Sequence, residues 1–181
     1  MSPAAVPLLR IPVGVVIERR KAQSQWTDFI WRPVGVLPDE PNMKPWTVLR
    51  EEAQAKSFYV GGTTIDLYRS ETAHYRDNLA TEAPGIWVVM SPSDGERPYT
   101  IAAVTADPAE GEGFSEAASY LVEQVPMPDP IRAAVERFVQ EHHVEREFVK
   151  RKRDRADPEA LAQRPKGDRG LHDGDAGDRD E

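Results

Sequence analysis

Short valine-rich segments, separated by prolines and glycines, constrain this chain more than any other feature. Valine outnumbers leucine 17 to 9, and β-branched side chains favour extended backbone because they pack well on a pleated surface. The apolar pattern predicts strands over residues 11–19, 29–37, 46–51, 58–60, 63–67, 86–90 and 99–105. Short strands joined by turns indicate a small, mostly antiparallel sheet, a sandwich or an open barrel.

The glycine pair Gly61 and Gly62 separates two of these alternating runs and predicts a tight hairpin turn. A phosphate-binding loop would be longer and would open a helix, usually with a lysine after it. Strand-like sequence follows this pair instead, at residues 63–67, so we interpret the pair as a turn. Pro33 places the second strand at an edge or a bulge, and the proline-rich segment 38–45 is a predicted loop.

An amphipathic helix beginning at Asp129 is the clearest local prediction. Asp129 suits the N-cap and Pro130 suits the first helical position. One stripe of residues recurs at helical spacing: Ile131, Ala134, Val135, Phe138, Val139 and His142. We expect this helix to bury the stripe on the sheet. Two other segments stay open, since 70–79 fits a helix or a loop, and 114–122 has helical spacing although 120–125 also fits a strand.

These segments predict an α+β fold in one domain over residues 11–155, in which a single C-terminal helix covers the sheet or open barrel. Residues 1–10 are expected to be a flexible N-terminus and residues 156–181 a disordered polar tail. After Asp157 the large aliphatic residues are Leu161 and Leu171 alone. The tail therefore buries too little apolar surface to offset its ordering entropy.

Several classes of protein are excluded by what the sequence lacks. The chain has no cysteine, which removes disulfides, iron–sulfur clusters, cysteine zinc sites and thiol nucleophiles. No apolar run approaches the ~20 residues of a bilayer span, and no cationic leader opens the chain. Neither a Gly-x-Ser-x-Gly elbow nor a Ser-x-x-Lys motif is present. We expect a soluble cytoplasmic protein, not bound to membranes, with no predicted cofactor, metal ion or catalytic residue.

Three histidines come into question as metal ligands: His74, His142 and His143. The last two are adjacent, so on a helix they point about 100° apart and cannot chelate one ion together. A site would need Glu141 or Glu145 with a distant ligand such as His74, and no spacing demands this. The sequence favours His142 as a partly buried member of the stripe and His143 as an exposed residue.

The densest charge feature is the basic run Lys150, Arg151, Lys152 and Arg153. Residues 150–181 hold nine basic and nine acidic side chains, whereas residues 1–149 hold 14 basic and 22 acidic, so the body carries the whole net charge of −8. An acidic body repels nucleic acid, so the charge distribution argues against a nucleic-acid partner. We predict that the run is a solvated helix end or a docking patch for an acidic protein surface.

Eight segments are distinctive in combination: 13–19 (VGVVIER), 31–34 (WRPV), 45–49 (PWTVL), 67–72 (LYRSET), 75–79 (YRDNL), 87–89 (WVV), 125–128 (VPMP) and 148–153 (FVKRKR). Together they resemble the bacterial family named domain of unknown function 3305, over about residues 10–155. Members of that family tend to be encoded beside molybdenum-dependent formate dehydrogenase genes. Some members are named molybdopterin-guanine dinucleotide biosynthesis protein A.

The resemblance implies a non-enzymatic accessory protein that assists assembly or cofactor loading of a formate dehydrogenase. Its partners would be formate dehydrogenase subunits or maturation factors. The alternative is a nucleotide-binding or guanylyltransferase-type enzyme of the molybdenum cofactor pathway. Such an enzyme needs a glycine-rich loop after its first strand and βαβ crossovers. The first predicted strand is followed by residues 18–21 (ERRK), which contain no glycine, so the accessory role is the leading hypothesis.

Overall fold

The structure is a computed structural model that describes residues 6–144 of the chain. It contains two antiparallel sheets and three α-helices. The elements, in chain order, are β1 (Leu9–Lys21), β2 (Phe29–Pro38), β3 (Thr47–Glu51), β4 (Ala55–Leu67), α1 (Thr72–Leu79), β5 (Gly85–Pro92), β6 (Tyr99–Thr105), α2 (Pro108–Glu116), β7 (Leu121–Pro126) and α3 (Asp129–His142). This architecture confirms the predicted α+β class.

The strand order is β2-β1-β4-β3 in the first sheet and β6-β5-β7 in the second. The named strands all pair antiparallel, and those described form no closed barrel. β1 lies at the centre of the first sheet, and it begins at Leu9, two residues before the predicted strand. Its alternate residues Val13, Val15 and Ile17 are fully buried, as expected for a strand that turns one face to the core.

One continuous apolar core joins both sheets to α1 and α3. Its largest fully buried side chains are Ile17, Ile65, Leu67, Tyr75, Ile86, Met90 and Ile131. Full burial of one such side chain stabilises the fold by about 1.5–3 kcal/mol. The core therefore holds α1 and α3 against the sheets.

The predicted hairpin turn at Gly61 and Gly62 is wrong. Both glycines lie inside the continuous strand β4, where they pair with Val15 and Gly14 of β1. The pairing register shifts between Val15 and Val16, and Gly61 has a φ of 154°, which side-chain-bearing residues rarely adopt. The pair forms part of a β-bulge. A bulge, like a hairpin turn, often needs a residue with positive φ, which glycine adopts without strain.

Gly14 lets the loop over residues 39–46 lie close against the first sheet. A Cβ atom at Gly14 would stand 2.7 Å from Cε2 of Tyr59 and 2.8 Å from Cδ of Pro41. On the adjacent strand, a Cβ atom at Gly62 would collide with the side chain of Glu40. The predicted proline-rich loop is confirmed, and it covers the bulge.

Both segments that the sequence left open resolve into regular structure. Residues 69–71 form a short 3-10 turn that leads into α1, so the helix alternative is right for 70–79. α2 lies earlier than the helical spacing predicted, and β7 confirms the strand alternative. Gly111 of α2 sits against Trp87, whose indole a Cβ atom would strike, whereas Gly113 faces open space.

α3 confirms the predicted amphipathic helix, but not its predicted cap and not the expectation that its stripe packs on the sheet alone. Ile131, Val135 and Phe138 are buried, and the helix packs mainly on α1 and to a smaller extent on β1. Pro128, not Asp129, is the capping residue, and it makes no side-chain capping bond. Asp129 lies in the first turn, where the helix dipole favours an acidic side chain.

The predicted domain boundary at residue 155 and the predicted tail at 156–181 lie outside the described residues. None of the helices in residues 6–144 is both long and apolar enough to cross a bilayer.

Candidate functional site

Three ionisable side chains meet at the start of α1: Glu71, His74 and Asp107. Glu71 and His74 are three residues apart along the 3-10 turn and the first turn of α1, so they share one face. Asp107 comes from a distant part of the chain, between β6 and α2. We term these residues the carboxylate–histidine cluster. Within residues 6–144 it is the one group of three such side chains close enough to hold a metal ion.

Both carboxylates approach the same nitrogen of the His74 imidazole. Its Nδ1 atom is 3.0 Å from Oδ2 of Asp107 and 3.2 Å from Oε2 of Glu71. Asp107 is 5% exposed, whereas the side chains of His74 and Glu71 are 45% and 36% exposed. The cluster thus has a buried carboxylate at its base and an open side towards solvent.

Asp107 is fixed by its role as the cap of α2. Its Oδ1 accepts a hydrogen bond of 2.8 Å from the backbone N–H of Ala109. Its own backbone N–H donates to Oγ1 of Thr105 at 3.0 Å. Because Oδ1 caps the helix, Oδ2 is the oxygen directed at His74.

The carboxylates raise the pKa of His74. The hydrogen bond with Asp107 is the largest cause, the charges of Asp107, Glu71 and Asp77 act in the same direction, and partial burial opposes them. Such an arrangement can transfer a proton or, once Nδ1 is deprotonated, bind a cation.

Asn78 fixes the position of the helix that carries His74. Its side chain is 2% exposed. Nδ2 donates to the carbonyl oxygens of Gly85 and Ala106, both at 2.9 Å, and Oδ1 accepts from the N–H of Gly85 at 3.0 Å. We term these three hydrogen bonds the Asn78 clamp. Because Ala106 directly precedes Asp107, the clamp fixes α1, which carries His74, relative to Asp107.

The other two described histidines make different contacts. His142 lies with its ring centroid 4.6 Å from that of Phe138, and it is partly buried, as its place in the stripe predicts. The predicted exposure of His143 is wrong, because it is partly buried against α1. Its Nδ1 lies 3.2 Å from Oγ1 of Thr72 and its Nε2 3.0 Å from Nη1 of Arg76.

The basic run lies outside the described residues, so its role as a docking patch stays a prediction. It consists of Lys150, Arg151, Lys152 and Arg153.

Aromatic rings and arginines form a second cluster, which joins the two sheets. The ring of Trp31 lies 6.0 Å from that of Trp46 on one side and 6.3 Å from that of Tyr99, in the second sheet, on another. The Arg19 guanidinium stacks 4.3 Å from the Phe29 ring centroid. The members, termed the aromatic–arginine surface, are Arg19, Phe29, Trp31, Trp46, Phe58, Arg97 and Tyr99.

The first sheet also exposes large apolar side chains on both of its edge strands and in the turn between β1 and β2. Trp26, in the turn between β1 and β2, is 89% exposed, and Ile30 is 54% exposed. Val48 and Leu49, on the edge strand β3, are about as exposed as Phe29. Among the rings of the aromatic–arginine surface, Phe29 alone is exposed to this degree, at 42%, so its ring is the one most accessible to a partner.

His74 is a candidate ligand from the sequence alone, but neither of its carboxylate partners is. A signal for each was present, because Glu71 and His74 have helical spacing and Asp107 followed by Pro108 is a helix-start pattern. Their meeting depends on how α1 packs beside the end of β6. No local pattern encodes that contact.

Comparison with known proteins identifies one family. Its model, described as "Protein of unknown function (DUF3305)", matches residues 12–152. Searches of curated proteins and of solved structures find no match. The matched range spans β1 from Pro12 onward, the other strands, the helices and both clusters described above.

Proposed function

Because this chain belongs to the DUF3305 family, we propose that it is a cytoplasmic accessory protein that docks on a formate dehydrogenase subunit or maturation factor. Its role is to assist assembly of that enzyme or loading of its cofactor. The association with formate dehydrogenase is what the family resemblance implies. The observation that supports docking is the aromatic–arginine surface.

This surface has the composition of a binding hot spot. Tryptophan, tyrosine and arginine are the residue types that most often dominate the energy of protein interfaces. Stacking on Phe29 holds the Arg19 guanidinium in place, and a held guanidinium binds carboxylates with two parallel hydrogen bonds. The exposed ring of Phe29 and the partly exposed rings of Trp31 and Trp46 beside it supply apolar contact area. We therefore expect the partner to present a carboxylate next to apolar side chains.

The basic run of Lys150 to Arg153 is proposed as a second contact. On an acidic body, a basic segment attracts an acidic partner and accelerates encounter, and added salt screens this attraction. Truncating a packed aromatic side chain acts mainly on the dissociation rate instead. The two contacts are therefore separable by kinetics.

Co-purification of the tagged full chain from its native host tests the docking role. The parent chain is expected to retain formate dehydrogenase subunits or maturation factors. Phe29→Ala combined with Arg97→Ala is expected to reduce their recovery at least about tenfold, because each hot-spot truncation costs roughly 1–2 kcal/mol. Arg132→Ala removes an exposed arginine of α3, outside the surface, and serves as the matched control with unchanged recovery.

Two results together would refute this proposal. One is failure of any formate dehydrogenase protein to co-purify with the parent chain. The other is normal formate dehydrogenase activity in a strain that lacks the chain.

The guanylyltransferase alternative has no observation in its favour among the described residues. Its nucleotide site needs a glycine-rich loop that opens a helix in a parallel sheet, whereas the glycine pair at 61–62 lies inside β4 and the named strands pair antiparallel. We expect calorimetric titration with GTP to give no measurable heat of binding. Saturable binding at roughly micromolar GTP would favour the enzyme instead.

A further inference from the structure

The carboxylate–histidine cluster has the donor set of a divalent transition-metal site. One imidazole nitrogen and two carboxylate oxygens bind Zn²⁺ and similar ions at about 2.0–2.2 Å. Two ligand atoms at that distance from one ion, in tetrahedral or octahedral arrangement, are about 3.0–3.5 Å apart. The separations from Nδ1 of His74, 3.0 Å to Asp107 and 3.2 Å to Glu71, fall in that range.

The charge of the cluster also favours a cation. Two carboxylates face a single Nδ1 atom, and one N–H proton forms a strong hydrogen bond with one of them only. A protonated His74 still leaves the cluster with excess negative charge, to which Asp77 adds. A bound divalent ion neutralises both carboxylates at once, which one proton cannot do.

The cluster is held rigidly on one side and is open on the other. Asp107 is fixed by its bonds to Ala109 and Thr105, and the Asn78 clamp fixes α1 relative to it. Such supporting bonds orient metal ligands and are a usual part of metal sites. The exposed sides of His74 and Glu71 leave room for water molecules to complete the coordination.

We propose that Glu71, His74 and Asp107 bind one divalent first-row transition-metal ion through Oε2, Nδ1 and Oδ2. Three protein ligands and an open side are the arrangement of a site that keeps coordination positions for water or a further ligand. The site shares no residue with the aromatic–arginine surface. It therefore stands independently of the docking role.

Calorimetric titration of the full chain with ZnCl₂, after removal of metals with EDTA and dialysis, tests this site. We expect one ion per chain, bound at least about tenfold more weakly by His74→Ala and by Glu71→Gln. His142→Ala removes a partly buried histidine outside the cluster and is the matched control, with unchanged affinity. Zinc should raise the unfolding temperature of the parent chain and not that of His74→Ala.

Three results would overturn the proposal. The first is the absence of zinc binding by the parent chain. The second is binding that both His74→Ala and Glu71→Gln leave unchanged, which would assign the ion to other residues. The third is displacement of zinc by an equal concentration of MgCl₂, because Mg²⁺ prefers oxygen ligands and would compete equally only at a non-specific acidic patch. Circular dichroism of each variant confirms folding, and His74→Gln replaces His74→Ala if the latter does not fold.

Discussion

Asn78→Ala is expected to destabilise the fold strongly, although the residue is polar and remote from the centre of the core. The substitution removes three hydrogen bonds and leaves three backbone groups without that partner, the N–H and C=O of Gly85 and the C=O of Ala106. A buried polar group left unpaired costs about 1–3 kcal/mol, and water entering the space offsets part of this. We expect the free energy of unfolding to fall by about 3–5 kcal/mol.

Asn78→Asp tests the direction of these bonds at constant size. The new carboxylate still accepts from the N–H of Gly85, but its second oxygen faces two carbonyl oxygens and has no proton to donate. Burial and repulsion should therefore raise the pKa of the new acid in the folded state above its unfolded value of about 3.9. Because the folded state then binds this proton more tightly than the unfolded state does, the variant should be most stable, relative to the parent, below about pH 4. It should lose stability as pH rises through the raised pKa.

Urea unfolding followed by tryptophan fluorescence measures both variants. Asp77→Ala changes the neighbouring, mostly exposed residue and should alter the free energy of unfolding by less than about 0.5–1 kcal/mol. A loss below about 1 kcal/mol in Asn78→Ala would refute the view that this amide bridges α1 to the second sheet. A pH-independent deficit in Asn78→Asp would refute the assigned bond directions.

Three further expectations concern local packing and protonation. In α2, Gly111→Ala should lower the free energy of unfolding by about 1–3 kcal/mol, because the methyl group strikes the indole of Trp87. Gly113→Ala, which meets no neighbour, should raise it by about 0.5–1 kcal/mol. Equal effects of the two substitutions in urea unfolding would contradict this packing. In the first sheet, Gly14→Ala should lower the free energy of unfolding by about 1–3 kcal/mol. Gly35→Ala, which meets open space, should change it by less than about 0.5 kcal/mol. An unchanged stability in Gly14→Ala would show that the loop over residues 39–46 does not pack tightly on β1. In metal-free protein, protonated His74 should stabilise the fold fully below its ordinary pKa of about 6.5, and this stabilisation should disappear as pH rises through the raised folded-state pKa. In EDTA, His74→Gln should therefore lower the free energy of unfolding more at about pH 6 than at about pH 9.

The strands and α3 could be predicted because one physical signal sets each of them. Valine-rich runs mark β1 and β5, and a single apolar stripe marks α3 with Phe138 at its centre. The glycine pair at 61–62 misled because a bulge and a hairpin turn make the same demand for positive φ. What decides between them is whether another strand continues alongside, and β1 does so along the whole of β4.

The candidate site was less accessible from sequence because its parts converge only after packing. Asp107 lies 33 residues beyond His74, and nothing in the local pattern of either segment identifies the other. The same limit applies to the aromatic rings. The sequence shows a strand region rich in tryptophan, but only the register that sets Trp31 opposite Arg19 turns those rings into an arginine-bearing surface.

The central place of β1 in its sheet has a consequence for synthesis of the chain. Residues 9–38 leave the ribosome as a valine-rich ribbon with one flank unpaired, and that flank stays open until residues 55–67 have followed. An open apolar flank is a template for joining other chains, and pairing across such a separation is slow compared with helix formation. Pairing of β1 with β4 therefore has to compete with pairing between chains until residues 55–67 are present.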